Sequence, residues 1–141
     1  MSEVRSAETR EIMDELEIRN SLARIARYSD EGGLDDYADL FTEDARWEMP
    51  GVPVKTGRAE IRAAGAVRRA EGTTGPGSHT RHLVGTTVVT VAGDRAVAES
   101  TWQFYADTAG LPVLRSMGGY RDTFQRTGHG WLLAERLITS G

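Results

Sequence analysis

The chain has 141 residues, a net charge of −4 and no cysteine. This length suits a single domain with one core, and the lack of cysteine excludes disulfides, thiolate metal ligands and a cysteine nucleophile. The 17 basic and 21 acidic residues are scattered, so neither a nucleic-acid partner nor a polybasic membrane anchor is expected. No stretch approaches the about 20 apolar residues of a membrane span, and the charged N-terminus has no apolar signal core, so the expected location is cytoplasmic.

The first half of the chain carries helical patterns. Residues 8–29 contain neither glycine nor proline and place Ile18, Leu22 and Ile25 at helical spacing. This pattern predicts a long amphipathic helix that ends at the segment DEGG. Three shorter elements are predicted after it, namely a helix over 34–41, a strand over 45–49 and a helix over 58–70.

The second half changes to the alternating pattern of extended chain. RHLVGTTVVTVAGDRAVAESTWQFY predicts two strands joined by a tight turn at Gly93 and Asp94. LPVLRSMGGYRDTFQRTGHGWLLAERLIT predicts two more strands, joined at TGHG. Three helices followed by a strand meander indicate an α+β fold, with a curved antiparallel sheet whose concave side holds the helices. Such an arrangement leaves a cavity that suits a small molecule.

Four segments carry a resemblance to a known family. YSDEGGLDDYADLFTEDARWEM, TGRAEIR, RHLVG and GGYRDTFQRTGHGWLLAERLI resemble the SnoaL-like proteins of the nuclear transport factor 2-like superfamily. The similarity covers nearly the whole chain after about Leu16. The nearest pattern is the branch that includes scytalone dehydratase and the bile-acid 7α-dehydratases. The resemblance implies one cone-shaped domain over 1–141 around a deep pocket, with 1–15 as a peripheral helical extension. It also implies a homodimer, for which the outer sheet face is the expected interface.

The resemblance implies an aspartate–histidine pair in the pocket. Asp30 matches the family's helix-end aspartate, and His82 matches the pocket histidine that acts as the base. If His82 faces the cavity, Asp30 can hold one ring nitrogen and leave the other as a base near neutral pH. Taken alone, Asp30 also fits an exposed turn, and His82 also fits a core histidine without catalysis. His79 does not complete a metal pair with His82, since residues three apart on an extended chain point to opposite faces.

Several aromatic and polar residues are candidates for contact with the substrate. The fourth predicted strand carries Tyr120, and either Tyr28 or Tyr120 could supply a phenol to the substrate oxygen. Met49 stands where the scytalone dehydratase pattern has a second catalytic tyrosine, so the substrate-reading groups of that enzyme are not kept. The full set of predicted substrate contacts is Tyr28, Tyr37, Trp47, Met49, Ser100, Trp102, Phe104 and Tyr120.

These observations favour a cofactor-free enzyme of the lyase or isomerase type. In this hypothesis His82 removes a proton beside a carbonyl of a hydrophobic, oxygenated molecule such as a polyketide, steroid-like or aromatic metabolite, and Asp30 orients the imidazole. Dehydration, isomerisation and cyclisation share this step, and no metal is expected. Two alternatives remain at this point. One is a binding module of the same fold without catalysis, and the other is a structural subunit like that of ring-hydroxylating dioxygenases.

Overall fold

The N-terminal half forms three helices and two strands, and the first helix is much the longest. The computed structural model describes residues 2–141, with side chains from Ser6 onward. Helix α1 is continuous from Ser2 to Glu31, so the predicted peripheral extension forms its first half, with Met1 outside the described residues. The other elements of this half are α2 (Leu34–Ala38), β1 (Phe41–Glu48), β2 (Lys55–Thr56) and α3 (Arg58–Ala70).

The stripe predicted on α1 is the face that packs into the core. Ile18, Leu22 and Ile25 are each at most 3% exposed, because residues three and four apart share one side of a helix. Nearer the N-terminus, Asp14 accepts hydrogen bonds from both terminal nitrogens of Arg126 and from the Trp131 indole. The Arg126 hydrogen bond holds the pKa of Asp14 below its usual value. In the described part of the chain, no helix is long and apolar enough to cross a membrane.

The predicted helix over 34–41 is too long. Helix α2 ends at Ala38, and the Leu40 amide donates to the Tyr37 carbonyl in a turn. Strand β1 then begins at Phe41, four residues before its predicted start. The early start of β1 is due to a residue distant in sequence. The Leu133 amide donates a hydrogen bond to the Leu40 carbonyl, and this bond draws the chain at Leu40 into the sheet.

Six strands form one curved sheet. The order is β2-β1-β6-β5-β4-β3, and every neighbouring pair is antiparallel except β1 and β6, which run parallel. The prediction of an antiparallel sheet is therefore wrong for this one pair. The chain leaves β1, passes through α3 and the other strands of the meander, and enters β6 in the same direction as β1. The four strands of the meander are β3 (Arg81–Ala92), β4 (Arg95–Ala106), β5 (Val113–Thr127) and β6 (Gly130–Ser140).

The core lies between the helices and the concave face of the sheet. Phe41, Phe124 and Leu133 from the strands meet Ile18 and Ile61 from α1 and α3, and all are at most 2% exposed. The predicted α+β cone is confirmed. Beside this core, towards the C-terminal ends of α1 and α3, the space between the layers is not filled, and a cavity remains.

Candidate functional site

The cavity is apolar for the most part and lies between α1, α3 and the sheet. Its volume is about 150 Å³, which accepts about one aromatic ring. The cavity is open to solvent on one side, so a second ring of a ligand can lie in the opening. Six of the eight predicted substrate contacts line it, namely Tyr37, Trp47, Met49, Trp102, Phe104 and Tyr120.

Two of the predicted contacts do not line the cavity. Ser100 is buried in the sheet, where its hydroxyl accepts a hydrogen bond from Thr87 at 3.2 Å. Tyr28 does not line the cavity either, because the cavity face of α1 carries Leu22 and Ser29, which are seven residues apart. Tyr28 lies about 100° around the helix from Ser29 and points elsewhere.

The structure brings Asp30 and His82 together. One Asp30 oxygen accepts from the His82 backbone amide at 2.9 Å, and the other lies 2.7 Å from Nδ1 of the ring. Because an ionised carboxylate only accepts, this contact places the ring proton on Nδ1 and leaves Nε2 unprotonated in the neutral imidazole. Asp30 is 4% exposed, so the reading of Asp30 as an exposed turn residue is excluded.

The imidazole lies at the wall between two spaces. It lines the apolar cavity, where the Phe104 ring packs against it with 4.8 Å between the centroids. It also lines an open groove between α1 and β3, together with Asp30 and Arg81. The His82 side chain is 21% exposed. Such a position gives the ring an apolar side and a side that faces solvent.

Arg69 holds the end of α1 that carries Asp30. The last carbonyls of a helix lack partners within the helix. One terminal nitrogen of Arg69 donates to the carbonyls of Tyr28, Ser29 and Gly32, at 2.7, 3.3 and 2.6 Å. Sequence reasoning missed this contact because nothing in the last turn of α3 distinguishes Arg69 from a solvated arginine.

Two arginines that the sequence analysis did not single out line the cavity. Arg136 is 5% exposed and donates to both oxygens of Asp122, at 2.8 and 3.0 Å. Burial raises the pKa of Asp122, although the charge and hydrogen bonds of Arg136 act to lower it. Burial lowers the pKa of Arg136, and the charge and hydrogen bonds of Asp122 together with the nearby Tyr120 and Tyr37 more than offset this, so the pKa is raised. Arg68, by contrast, lies over the Trp47 ring at 5.4 Å from its centroid.

Tyr120 contributes a phenol to the cavity wall. Its ring stacks with Trp102 at 5.9 Å, and the Arg136 guanidinium lies 3.8 Å from its centroid. Burial raises the pKa of Tyr120 to about 12. The phenol therefore stays protonated across the physiological range and can donate a hydrogen bond.

The remaining histidines lie away from this arrangement. His79 is exposed in the loop before β3, and His129 is exposed in the turn between β5 and β6. Among the side chains of residues 6–141, no group of three or more histidines, aspartates or glutamates is placed to hold a metal ion.

The cone of helices and curved sheet, with a cavity between the two layers, defines the class of nuclear transport factor 2-like proteins. The SnoaL-like domain family matches residues 10–137, and the chain belongs to that family. No protein of curated function matches the chain significantly.

Solved structures show the same fold. An NTF2-like protein with a cystatin-like fold from Novosphingobium aromaticivorans is 28% identical, with a TM-score of 0.81 over 94% of this chain and 85% of that one. A point variant of Rv3472, a protein of unknown function from Mycobacterium tuberculosis, is 25% identical, with a TM-score of 0.79 over 92% and 77%. A candidate dehydratase of the NTF2-like family from Streptomyces avermitilis is 19% identical, with a TM-score of 0.76 over 92% and 97%.

Proposed function

We propose that this protein is an enzyme that removes a proton from carbon beside a carbonyl group of a hydrophobic small molecule. The observation that carries the proposal is the hydrogen-bonded Asp30–His82 pair at the wall of an apolar cavity. A histidine held by a buried carboxylate is the usual construction of a general base. Membership of the SnoaL-like family is compatible with such a reaction.

The proposed step uses three groups of this chain. Nε2 of His82 takes the proton, and the imidazolium that forms is stabilised by the Asp30 carboxylate. Negative charge moves from the carbon to the carbonyl oxygen, where the Tyr120 phenol donates a hydrogen bond. The enolate then expels a β-hydroxyl group, is reprotonated at another carbon or attacks a second carbonyl. In each case the His82 imidazolium returns its proton, which goes to the leaving hydroxide to form water, to the carbon or to the new alkoxide. These outcomes are a dehydration, an isomerisation and a cyclisation.

The step can be tested without knowing the natural substrate. In deuterated water, 2-tetralone exchanges the protons beside its carbonyl, and NMR spectroscopy follows their loss. We expect the wild type to accelerate this exchange and His82→Ala to lower the rate about 100-fold, the usual contribution of a general base. Asp30→Asn should also lower it, because an amide N–H facing Nδ1 favours the tautomer that has its proton on Nε2.

His79→Ala is the matched control, since His79 is an exposed histidine three residues away. It should exchange at the wild-type rate, and circular dichroism should show that all three variants keep the fold. An exchange rate that is equal in the wild type and in His82→Ala contradicts the proposed enzyme. Ligand binding without any acceleration would instead support a binding module of the same fold.

We also propose that the protein forms a homodimer through the outer face of the sheet. Leu83, Val88 and Met117 point outward from β3 and β5 and are 48%, 67% and 41% exposed. Large apolar side chains on one open sheet face are typical of a surface that another chain covers.

A further inference from the structure

Arg68 is a cation in the cavity wall with no acidic partner in the described chain. It lies in the last turn of α3, is half-buried and has its guanidinium over the Trp47 ring. No carboxylate of residues 6–141 forms an ion pair with it, whereas Arg136 in the same wall is held by Asp122. Among the described residues, the cavity therefore has a cation without a counter-charge.

An unpaired guanidinium in an apolar wall favours an anionic ligand. Water is partly excluded there, so attraction between charges is stronger than in bulk solvent. The planar guanidinium presents two parallel N–H groups that match the two oxygens of a carboxylate. The cation–π contact with Trp47 limits the motion of the group.

Two threonines extend this part of the wall. Thr73 and Thr74 follow α3 and line the same cavity as Arg68. The Thr73 amide donates to the Arg68 carbonyl at 2.9 Å, which fixes the start of the loop against the helix. Thr74 is 5% exposed, and no described residue forms a hydrogen bond with its hydroxyl. Both hydroxyls can donate a hydrogen bond to an oxygen that is bound at Arg68.

We propose that Arg68, together with Thr73 and Thr74, binds a carboxylate of the substrate. The substrate class is then a keto acid with a hydrophobic ring, whose carboxylate lies at Arg68 and whose carbonyl lies at His82 and Tyr120. The placement of the carbonyl at His82 and Tyr120 rests on the proposed function. The binding of the carboxylate itself does not depend on the reaction.

A matched pair of probes tests the binding. 2-Naphthoate and 2-naphthamide have the same ring system and differ in charge, and titration calorimetry gives both dissociation constants. We expect the wild type to bind the naphthoate about tenfold or more tightly than the amide, the usual value of a charge-assisted hydrogen bond. Arg68→Gln should abolish this preference. Arg68→Met, which keeps an apolar stem over Trp47, should do the same if the glutamine variant does not fold.

Arg62→Gln is the control, because Arg62 lies on the same helix, pairs with Asp35 and is outside the cavity. It should keep the preference. A wild type that does not bind the naphthoate, or a preference that survives in Arg68→Gln and Arg68→Met, overturns the inference. His82→Ala should also keep the preference, so loss of the proposed reaction and loss of anion binding are separate results.

Discussion

At the scale of single residues, the proposed hydrogen bond from Tyr120 to the substrate oxygen depends on the place of this phenol in the cavity wall. Its hydroxyl forms no hydrogen bond with a described residue, and its ring lines the cavity. Removing a hydroxyl without a protein partner costs little stability. Tyr28 was the other candidate phenol in the sequence, and it lies outside the cavity.

We therefore expect Tyr120→Phe to lower the 2-tetralone exchange rate about a hundredfold to a thousandfold, since one oxyanion donor is lost. The melting temperature should change little. Tyr28→Phe is the matched control and should exchange at the wild-type rate. The opposite result, with Tyr28→Phe slow and Tyr120→Phe normal, would place the donor on α1 and contradict the assignment.

At the scale of elements, the site depends on how the ends of α1 and α3 meet. Arg69 is a positioning residue, because it touches the helix end that carries Asp30 and does not reach the cavity. Without it, three carbonyls at the end of α1 lose a donor, and Asp30 is free to shift against His82. A displacement of about 1 Å can cost about 100-fold in rate.

Arg69→Gln should accordingly lower the maximal exchange rate about tenfold or more while the concentration of 2-tetralone at half-saturation stays near the wild-type value. Arg69→Lys should restore much of the rate, because an ammonium has three donors for three carbonyls. Arg62→Gln, on the same helix, controls for loss of charge. A variant that melts earlier but keeps the full rate per folded molecule would assign Arg69 to stability alone.

At the scale of the whole molecule, the proposed dimer is tested on the outer sheet face. Met117→Arg should shift light scattering from the mass of a dimer towards that of one chain, because the residue opposite Met117 is Gln103 and the new charge would be buried without an acidic partner. Leu111 is 88% exposed in the connection between β4 and β5, so Leu111→Arg is the control. A wild type that scatters as a single chain would contradict the dimer.

The sequence predicted the overall architecture well because periodicity is a local property. The stripe of α1 and the alternation in β3 to β6 report which side of each element is buried, and this is enough for an α+β cone. Asp30 and His82 are 52 positions apart, and no local pattern joins them, so only the family resemblance brought them together. The parallel pairing of β1 with β6 and the contact of Arg69 with α1 also depend on distant segments.

The location of His82 between the cavity and the open groove has a consequence for the order of events in the proposed reaction. An imidazolium formed inside a sealed chamber would keep its proton until the product departs. Here the ring borders a second opening beside Arg81, so the abstracted hydrogen can pass to bulk water while the organic molecule stays bound. We expect isotopic label from the substrate to reach solvent before product release, and the base to be regenerated without emptying the chamber.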